Sequence, residues 1–244
     1  MLQVLAAAPG AMALRDLASA AHMPPSKAHR YLVSYARAGF VEQDGESGHY
    51  GLGSFALELG LAALGRLDPV SVAMSTVREL AGALNQTVAL ALWGNYGPTI
   101  VRWVGGDSPV SATLRVGSVL PLSRSATGLA FLAFLPESRW RELLRRELAD
   151  NARHLLKPRR LDNLNEQLNE IRSDGLAFSS TFIDGISGMA APVFDADGTM
   201  TLALITLGYT SGFKSRRPEI KAALLQAAHK ISARLGGRAN SHAG

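Results

Sequence analysis

The sequence predicts an α+β protein in two parts, a small helical module followed by a larger domain that contains an antiparallel sheet. Three helical stretches and two short extended pieces lie within residues 1–53. An apolar helical stretch spans residues 54–67. From residue 68 onward, strand-like runs joined by turn-rich loops alternate with helices, as in an antiparallel sheet flanked by helices.

The composition favours an ordinary globular protein. The chain has 244 residues, of which 47% are hydrophobic, enough to bury a sizeable core. It has no cysteine, which excludes disulfides and cysteine-ligated metal sites. No apolar run approaches the ~18 residues that span a bilayer, and the N-terminus lacks the basic flank of a signal peptide. We therefore expect a cytoplasmic protein.

The net charge of +5 invites a nucleic-acid function, but its distribution does not locate a binding surface. Residues 1–65 are close to neutral, and the positive excess lies in residues 139–160 and 214–238. Cationic runs of this kind are more often solvated helix faces than binding sites.

Three helices are predicted at the N-terminus. The first, residues 2–8, is stopped by a Pro-Gly pair, and the second, residues 14–21, has apolar residues at the i, i+3, i+4, i+7 spacing of one buried face. The third runs from the double proline at residues 24–25 to Ala38. Proline suits the first turn of a helix, and Gly39 suits its end.

A hairpin and a further helix follow. Residues 40–43 and 49–52 are extended pieces joined by a polar loop with two glycines, which predicts a β-hairpin. The apolar helix over residues 54–67 then ends at Asp68-Pro69.

The third helix has a polar, cationic side. Its predicted core-facing stripe consists of Ala28, Tyr31, Leu32 and Tyr35. No acid occurs between Asp16 and Glu42, so the opposite side can enter a major groove without repelling phosphate. With the hairpin as a wing, this predicts a winged helix-turn-helix that binds DNA. The residues expected to face DNA are Ser26, Lys27, His29, Arg30 and Ser34, with Arg37 on the same side.

The larger domain is predicted as a mixture of strands and helices. Strands are expected at residues 88–93, 99–104 and 111–116, with a hairpin formed by residues 188–194 and 200–207. Helices are expected at residues 70–84, 127–134, 137–149, 161–173 and 217–235.

Several motifs together resemble the IclR family of bacterial regulators. The N-terminal ones are the run from Met23 to Leu32, which contains Pro-x-Ser-x-x-His-Arg-x-Leu, the later Gly39-Phe40-Val41-Glu42, and Tyr50-Gly51-Leu52-Gly53. The C-terminal ones are residues 117–122, Gly128 with residues 132–136, and residues 190–195.

The resemblance implies a winged helix-turn-helix over residues 1–53, a linker helix over 54–67, and a GAF-like effector-binding domain over 68–236. Residues 237–244 are expected to form a disordered tail. The family resemblance implies a dimer or tetramer on a palindromic DNA operator, no cofactor, and control by a small organic or aromatic acid. Many such regulators repress and some activate.

The resemblance also assigns an effector pocket. The family positions that hold a small acid correspond here to Ala126, Thr127, Ser179, Gly188, Ile205 and Leu207, with Ser125 as the cap of the adjoining helix. Only Thr127 and Ser179 keep a polar side chain there. Backbone N–H groups after Ser125 can still bind an anion, and Arg124 is a further cation nearby. We therefore expect a ligand with a large apolar body and one anionic end.

Two further departures from the family pattern concern the DNA-binding module. The first helix begins at Met1, where relatives usually have a longer helix, so we expect either a late start or a trimmed module. The wing carries His49 and Gly51 where an Arg or Lys pair is usual. His49 is therefore the expected DNA contact of the wing, and the wing should bind phosphate less strongly.

Two alternatives assign other roles to the larger domain. A hydrolase would use Ser108 or Ser187 with His154, but no Gly-x-Ser-x-Gly elbow and no metal-ligand spacing occur, so we expect no enzyme activity. An interaction module would dock an acidic partner on residues 139–160. Trp93 and Trp103 are expected in the core rather than in a pocket.

Overall fold

The computed structural model describes residues 1–65, 68–105, 114–154 and 163–237, and it divides into two compact units. The first unit is Met1–Leu67 and the second is Asp68–Gly244. No helix of the described residues is long and apolar enough to cross a membrane.

The first unit is three helices, a hairpin and a fourth helix. The helices are α1 (Leu2–Ala7), α2 (Leu14–Ala20) and α3 (Pro25–Arg37), and the hairpin consists of β1 (Val41–Gln43) and β2 (Tyr50–Leu52). The fourth helix is α4 (Ser54–Gly65). A small core holds the unit together through Leu5, Leu17, Leu32, Val41 and Tyr50. All six elements were predicted, within one or two residues at their ends.

The hairpin is fixed to the helices at two points that local sequence does not reveal. Met12 and Tyr50 exchange backbone hydrogen bonds of 2.9 and 2.8 Å, so residue 12 acts as a one-residue third strand. A Cβ at Gly53 would overlap the carbonyl oxygen of Gly39, which itself has a φ of +75°. Gly53 is therefore required by backbone packing, and Gly39 by its left-handed backbone conformation.

The second unit is a five-stranded antiparallel sheet of order β4-β3-β7-β6-β5. The strands are β3 (Thr87–Gly94), β4 (Gly97–Val104), β5 (Ala177–Ser179), β6 (Ile186–Phe194) and β7 (Met200–Tyr209). One face is covered by α5 (Pro69–Leu84) and α9 (Thr210–Arg234). The other is covered by α6 (Ala126–Phe134), α7 (Glu137–His154) and α8 (Leu164–Asp174). The α+β prediction with an antiparallel sheet is confirmed.

Alternate residues of the central strands lie on opposite faces of the sheet, and the side chains on the two faces differ in size. Larger residues such as Leu90, Met189 and Leu204 face α5 and α9. On the other face, Ala89 and Ala190 are among the small residues that contact the layer containing α6. Small side chains let a helix approach the sheet closely, and α6 is buried from Ala126 to Ala133.

Three predictions for secondary structure differ from the structure. The predicted strand at 111–116 falls partly outside the described residues, and residues 114–116 are not in a strand. Strand β5 was not predicted because three residues are too short to show a period. Helix α9 begins at Thr210 rather than at residue 217 and contains Pro218, because buried Phe213 anchors two additional turns against the sheet. Of the predicted tail, residues 238–244 lie outside the described part.

Candidate DNA-binding and effector sites

Helix α3 presents its polar residues to solvent. Ala28 and Leu32 are buried, and Tyr35 is half-buried against the small core. Tyr31, which we predicted on the core stripe, is 45% exposed, and that prediction is wrong. The turn of the helix places Tyr31 beside the buried stripe, where its ring lies 6.4 Å from that of Tyr35. The predicted DNA residues that are exposed are Ser26, Lys27, His29, Arg30 and Ser34.

The cations of α3 are not neutralised within the described chain. Lys27, Arg30 and Arg37 form no ion pair with any described residue. The hydroxyl of Ser34 donates to the carbonyl oxygen of Arg30 at 3.2 Å, a bond to the backbone that does not involve the guanidinium. Exposed, unpaired cations on a helix with no acid are suited to phosphate and base contacts.

The wing tip is held by a carboxylate. Asp44 accepts hydrogen bonds from the backbone N–H and the hydroxyl of Ser47, at 2.7 and 2.6 Å. These bonds, the hydroxyl first, hold the pKa of Asp44 below its usual value. His49 is half-buried beside this turn, and Glu46 is exposed at the tip. The tip therefore carries negative charge, which disfavours close contact with phosphate.

The residues assigned to the effector pocket line one cavity in the second unit. The start of α6 contributes Ser125, Ala126 and Thr127. Ser179, Gly188 and Leu207 form a row of neighbouring partners across β5, β6 and β7, and Ile205 lies on the same face of β7. The sheet register and the helix start thus bring together residues that are up to 82 positions apart (125 to 207).

Two of the polar side chains at the cavity are already engaged. The hydroxyl of Ser125 donates to Pro121 O at 2.7 Å and accepts from Gly128 N–H at 2.8 Å, so it caps α6. The hydroxyl of Ser179 donates to the carbonyl oxygen of Arg124 at 2.5 Å. Neither hydroxyl is therefore a free donor to a ligand.

The start of α6 provides the unsatisfied donors. Thr127 is 2% exposed, yet its hydroxyl forms no hydrogen bond with any described residue. The backbone N–H groups of Ala126 and Thr127 also have no acceptor among the described residues. Helix N-termini carry partial positive charge, so these donors together are suited to a carboxylate.

The rest of the lining is apolar and was not predicted from the sequence. The cavity has a volume of about 30 Å³, room for roughly two water-sized bodies. Phe182 and Ile183 follow β5 in an irregular segment, where no periodic pattern marks them. The additional lining residues are Ile100, Leu114, Leu120, Phe182, Ile183 and Ile186.

Two charged residues support this cavity from outside it. The guanidinium of Arg124 donates to Thr181 O at 2.9 Å and does not line the cavity, so it is not placed to bind a ligand there. Glu147 of α7 accepts from Leu122 N–H at 2.5 Å and from Ser123 N–H at 2.9 Å. Glu147 therefore fixes the turn that leads into Ser125, and nothing in the local sequence indicated this.

The residues considered for a hydrolase or an interaction module either bond to other side chains or lie outside the described part. The hydroxyl of Ser187 donates to that of Thr210 at 3.0 Å. Ser108 and the side chain of His154 lie outside the described part. On α7, Glu137 and Glu142 form ion pairs with Arg141, Arg145 and Arg146. Trp93 and Trp103 pack against the core beneath α6, as expected.

Both units match domains of the same family of known proteins. The IclR helix-turn-helix domain matches residues 1–45, and the bacterial transcriptional regulator IclR C-terminal domain matches residues 61–233. The transcriptional repressor IclR of Escherichia coli K12 is 29% identical over 243 residues, which cover 97% of this chain and 88% of the relative. The glycerol operon regulatory protein of Streptomyces coelicolor is 29% identical over 244 residues, covering 97% and 93%.

A solved structure is similar along nearly the whole chain. The crystal structure of Pseudomonas aeruginosa HmgR shares 38% identity with a TM-score of 0.89, covering 98% of this chain and 96% of that one. The E. coli relative is a transcriptional repressor, and the Streptomyces relative is an operon regulatory protein. The chain belongs to the IclR family of bacterial DNA-binding transcriptional regulators.

Proposed function

We propose that this protein is a cytoplasmic repressor whose binding to operator DNA is controlled by an organic acid with a large apolar body. The observation that carries the proposal is the cavity at the start of α6, which combines unsatisfied N–H and hydroxyl donors with an apolar lining. The E. coli relative is named a transcriptional repressor, which supports repression rather than activation.

The acid would bind with its carboxylate at the N-terminus of α6. The N–H groups of Ala126 and Thr127 and the hydroxyl of Thr127 offer three donors to two carboxylate oxygens. None of the described lining residues is a cation, so among them the helix start supplies the positive end of a dipole rather than a full charge. The apolar body would lie against Ile205 and Leu207.

An acid of this kind needs the cavity to widen. A volume of about 30 Å³ does not hold a phenyl or alkyl group in addition to a carboxylate. The atom nearest to the empty side-chain position of Gly188 is Cδ2 of Leu207, the flexible end of a side chain, so rotation of Leu207 would widen the cavity. A ligand that binds only the widened cavity has different affinities for the two conformations, and that difference is what shifts a conformational equilibrium.

The DNA side of the proposal rests on α3. The helices of two copies would enter successive major grooves, with Ser26 and Lys27 near the backbone and His29 and Arg30 deeper. Ser34 would make an additional contact, and His49 of the wing a weaker one, because the neighbouring tip is negatively charged.

Dimer formation would use α4. None of its described side chains is buried, although most of them are apolar. Leu57 is 66% exposed and Leu61 59% exposed. An isolated helix that exposes this much apolar surface is expected to pack against another helix, and we propose the α4 of a second copy.

Two measurements test the proposal. Retardation of DNA from upstream of the protein's own gene, at two salt concentrations, tests DNA binding, and we expect a specific complex that weakens with salt. Calorimetric titration with pyruvate and phenylpyruvate tests the cavity, because these acids share the 2-oxo acid group and differ in the apolar ring. We expect phenylpyruvate to bind more tightly. Tight binding of pyruvate or glyoxylate instead would contradict the proposed ligand class.

A further inference from the structure

One apolar side chain lies among the polar residues on the outward face of α3. Ser26, Arg30, Val33 and Arg37 follow each other at intervals of four, three and four residues. At 100° per residue, these intervals place all four within a sector of about 60° on the helix. This stripe lies on the side of α3 away from the buried Ala28 and Leu32, and all four of its residues are exposed.

Val33 has no role in the core of its unit. Its side chain is 37% exposed, and it is absent from the residues that pack around Leu17 and Leu32. The β-branched side chain also lowers the intrinsic stability of an exposed helix relative to alanine. Neither packing nor helix propensity accounts for valine at this position.

The neighbours of Val33 on the stripe define what it would meet. Arg30 precedes it by about one turn and Arg37 follows it by about one turn. If both arginines face DNA, a side chain between them on the same line faces DNA as well. The thymine C5-methyl is the distinctive apolar group that base edges present in the major groove.

We propose that Val33 contacts the methyl group of a thymine in each half of the operator and so determines specificity at that base pair. This inference rests on the proposed insertion of α3 into the major groove. Arg30 and Val33 are about 4.5 Å apart along the helix axis, compared with about 3.4 Å between successive base pairs. The thymine therefore lies within one or two base pairs of the position that Arg30 contacts.

The test replaces thymine by deoxyuridine, which lacks only the methyl group. Full-length protein is used to select a duplex from a random pool, and each thymine of that duplex is replaced in turn. We expect deoxyuridine at one position per half-site to weaken binding about fourfold, the effect of about one buried methyl group. The variant Val33→Ala should bind the thymine and deoxyuridine duplexes equally at that position.

A matched control separates this effect from a general loss of apolar surface. Val116 is also an exposed valine, in the second unit, and Val116→Ala should keep the full deoxyuridine effect. The inference is overturned if no replacement weakens the wild type, or if the effect persists in Val33→Ala. Failure to select any duplex would instead overturn the proposed DNA-binding role of α3, so the two failures are distinguishable.

Discussion

Gly188 on β6 lies opposite Leu207 on β7, and the Cδ2 atom of Leu207 is 2.9 Å from the point that a Cβ on residue 188 would occupy. The same Cβ would be 3.9 Å from that of Ala126. The space that a side chain at residue 188 would occupy is thus part of the cavity. A glycine in the middle of a strand is otherwise unfavourable, so its presence here is consistent with a need for space.

The substitution Gly188→Ala is predicted to reduce ligand binding without unfolding the protein. The added methyl displaces the flexible end of Leu207 and fills space that the ligand body would use. We expect about a tenfold loss of affinity for phenylpyruvate, measured by calorimetry. Gly212 has open space around it, so Gly212→Ala is the control and should bind normally. Unchanged affinity in Gly188→Ala would remove this position from the site.

The hydroxyl of Thr127 is predicted to contribute to binding of the acid group. Replacing it by the nearly isosteric Thr127→Val removes a donor to a charged oxygen, so we expect a 10- to 100-fold loss of affinity (about 1.5–3 kcal/mol). Thr127→Ser retains the hydroxyl and should bind within a few-fold of the wild type. Equal losses in both variants would show that packing of the methyl group, and not the hydrogen bond, matters.

Substitutions on α3 are predicted to separate base recognition from phosphate binding. Arg30→Ala should weaken operator binding by about 1–3 kcal/mol and relax base preference. Lys27→Ala should weaken binding to all sequences. It should also reduce, by about 1, the slope of log binding constant against log salt concentration. Fluorescence anisotropy of labelled duplexes at several salt concentrations measures both effects. Full operator affinity in Arg30→Ala would show that our assignment for Arg30 is wrong.

Helix α4 is predicted to hold the dimer. Leu57→Glu introduces a charge on a side chain that is exposed in the single chain, so the unit should still fold while the association of two copies is weakened. Analytical ultracentrifugation should show a shift toward monomer, and operator affinity should fall with it. Glu58→Gln, one residue away, provides the control. A dimer that persists in Leu57→Glu would place the interface elsewhere.

The wing tip is predicted to keep its structure in moderately acidic solution. Because bonds from Ser47 lower the folded-state pKa of Asp44, its contribution to stability is present above the unfolded-state value of about 3.9 and is lost as the pH falls through the lower folded value. The amide NMR signal of Ser47 should therefore hold its position from pH 7 to 5 and move only in stronger acid. In Asp44→Asn this acid transition should be absent. A shift centred between pH 5 and 7 would contradict the assignment of this transition to Asp44.

The sequence predicted the elements of the first unit well because each is marked by local chemistry. The helices are bounded by proline and glycine, and the wing by a loop with two glycines. The sequence did not show where the buried stripe of α3 ends. Tyr31 is apolar and adjacent to Leu32, but the core accommodates only the narrower stripe that includes Ala28 and Leu32.

The cavity likewise contains residues that the sequence predicted and residues that it did not. The family resemblance placed six of its residues in one site, helix capping added Ser125, and all seven line the cavity. Phe182 and Ile183 follow β5 in an irregular segment, and Glu147 reaches the turn at Leu122 across 25 positions. Contacts between residues so far apart depend on the tertiary packing of α7, which periodicity along the chain does not report.

Occupation of the cavity is expected to change the affinity for DNA. Among a series of 2-oxo acids with increasing apolar bodies, the one that most raises the melting temperature should be added to the protein bound to its selected duplex. We expect this acid to change the operator Kd of the wild type, and Leu207→Asp to abolish the change while retaining operator affinity without the acid. An acid that binds in a Leu207-dependent manner and leaves the operator Kd unaltered would contradict this expectation, since a ligand with equal affinity for both states shifts neither.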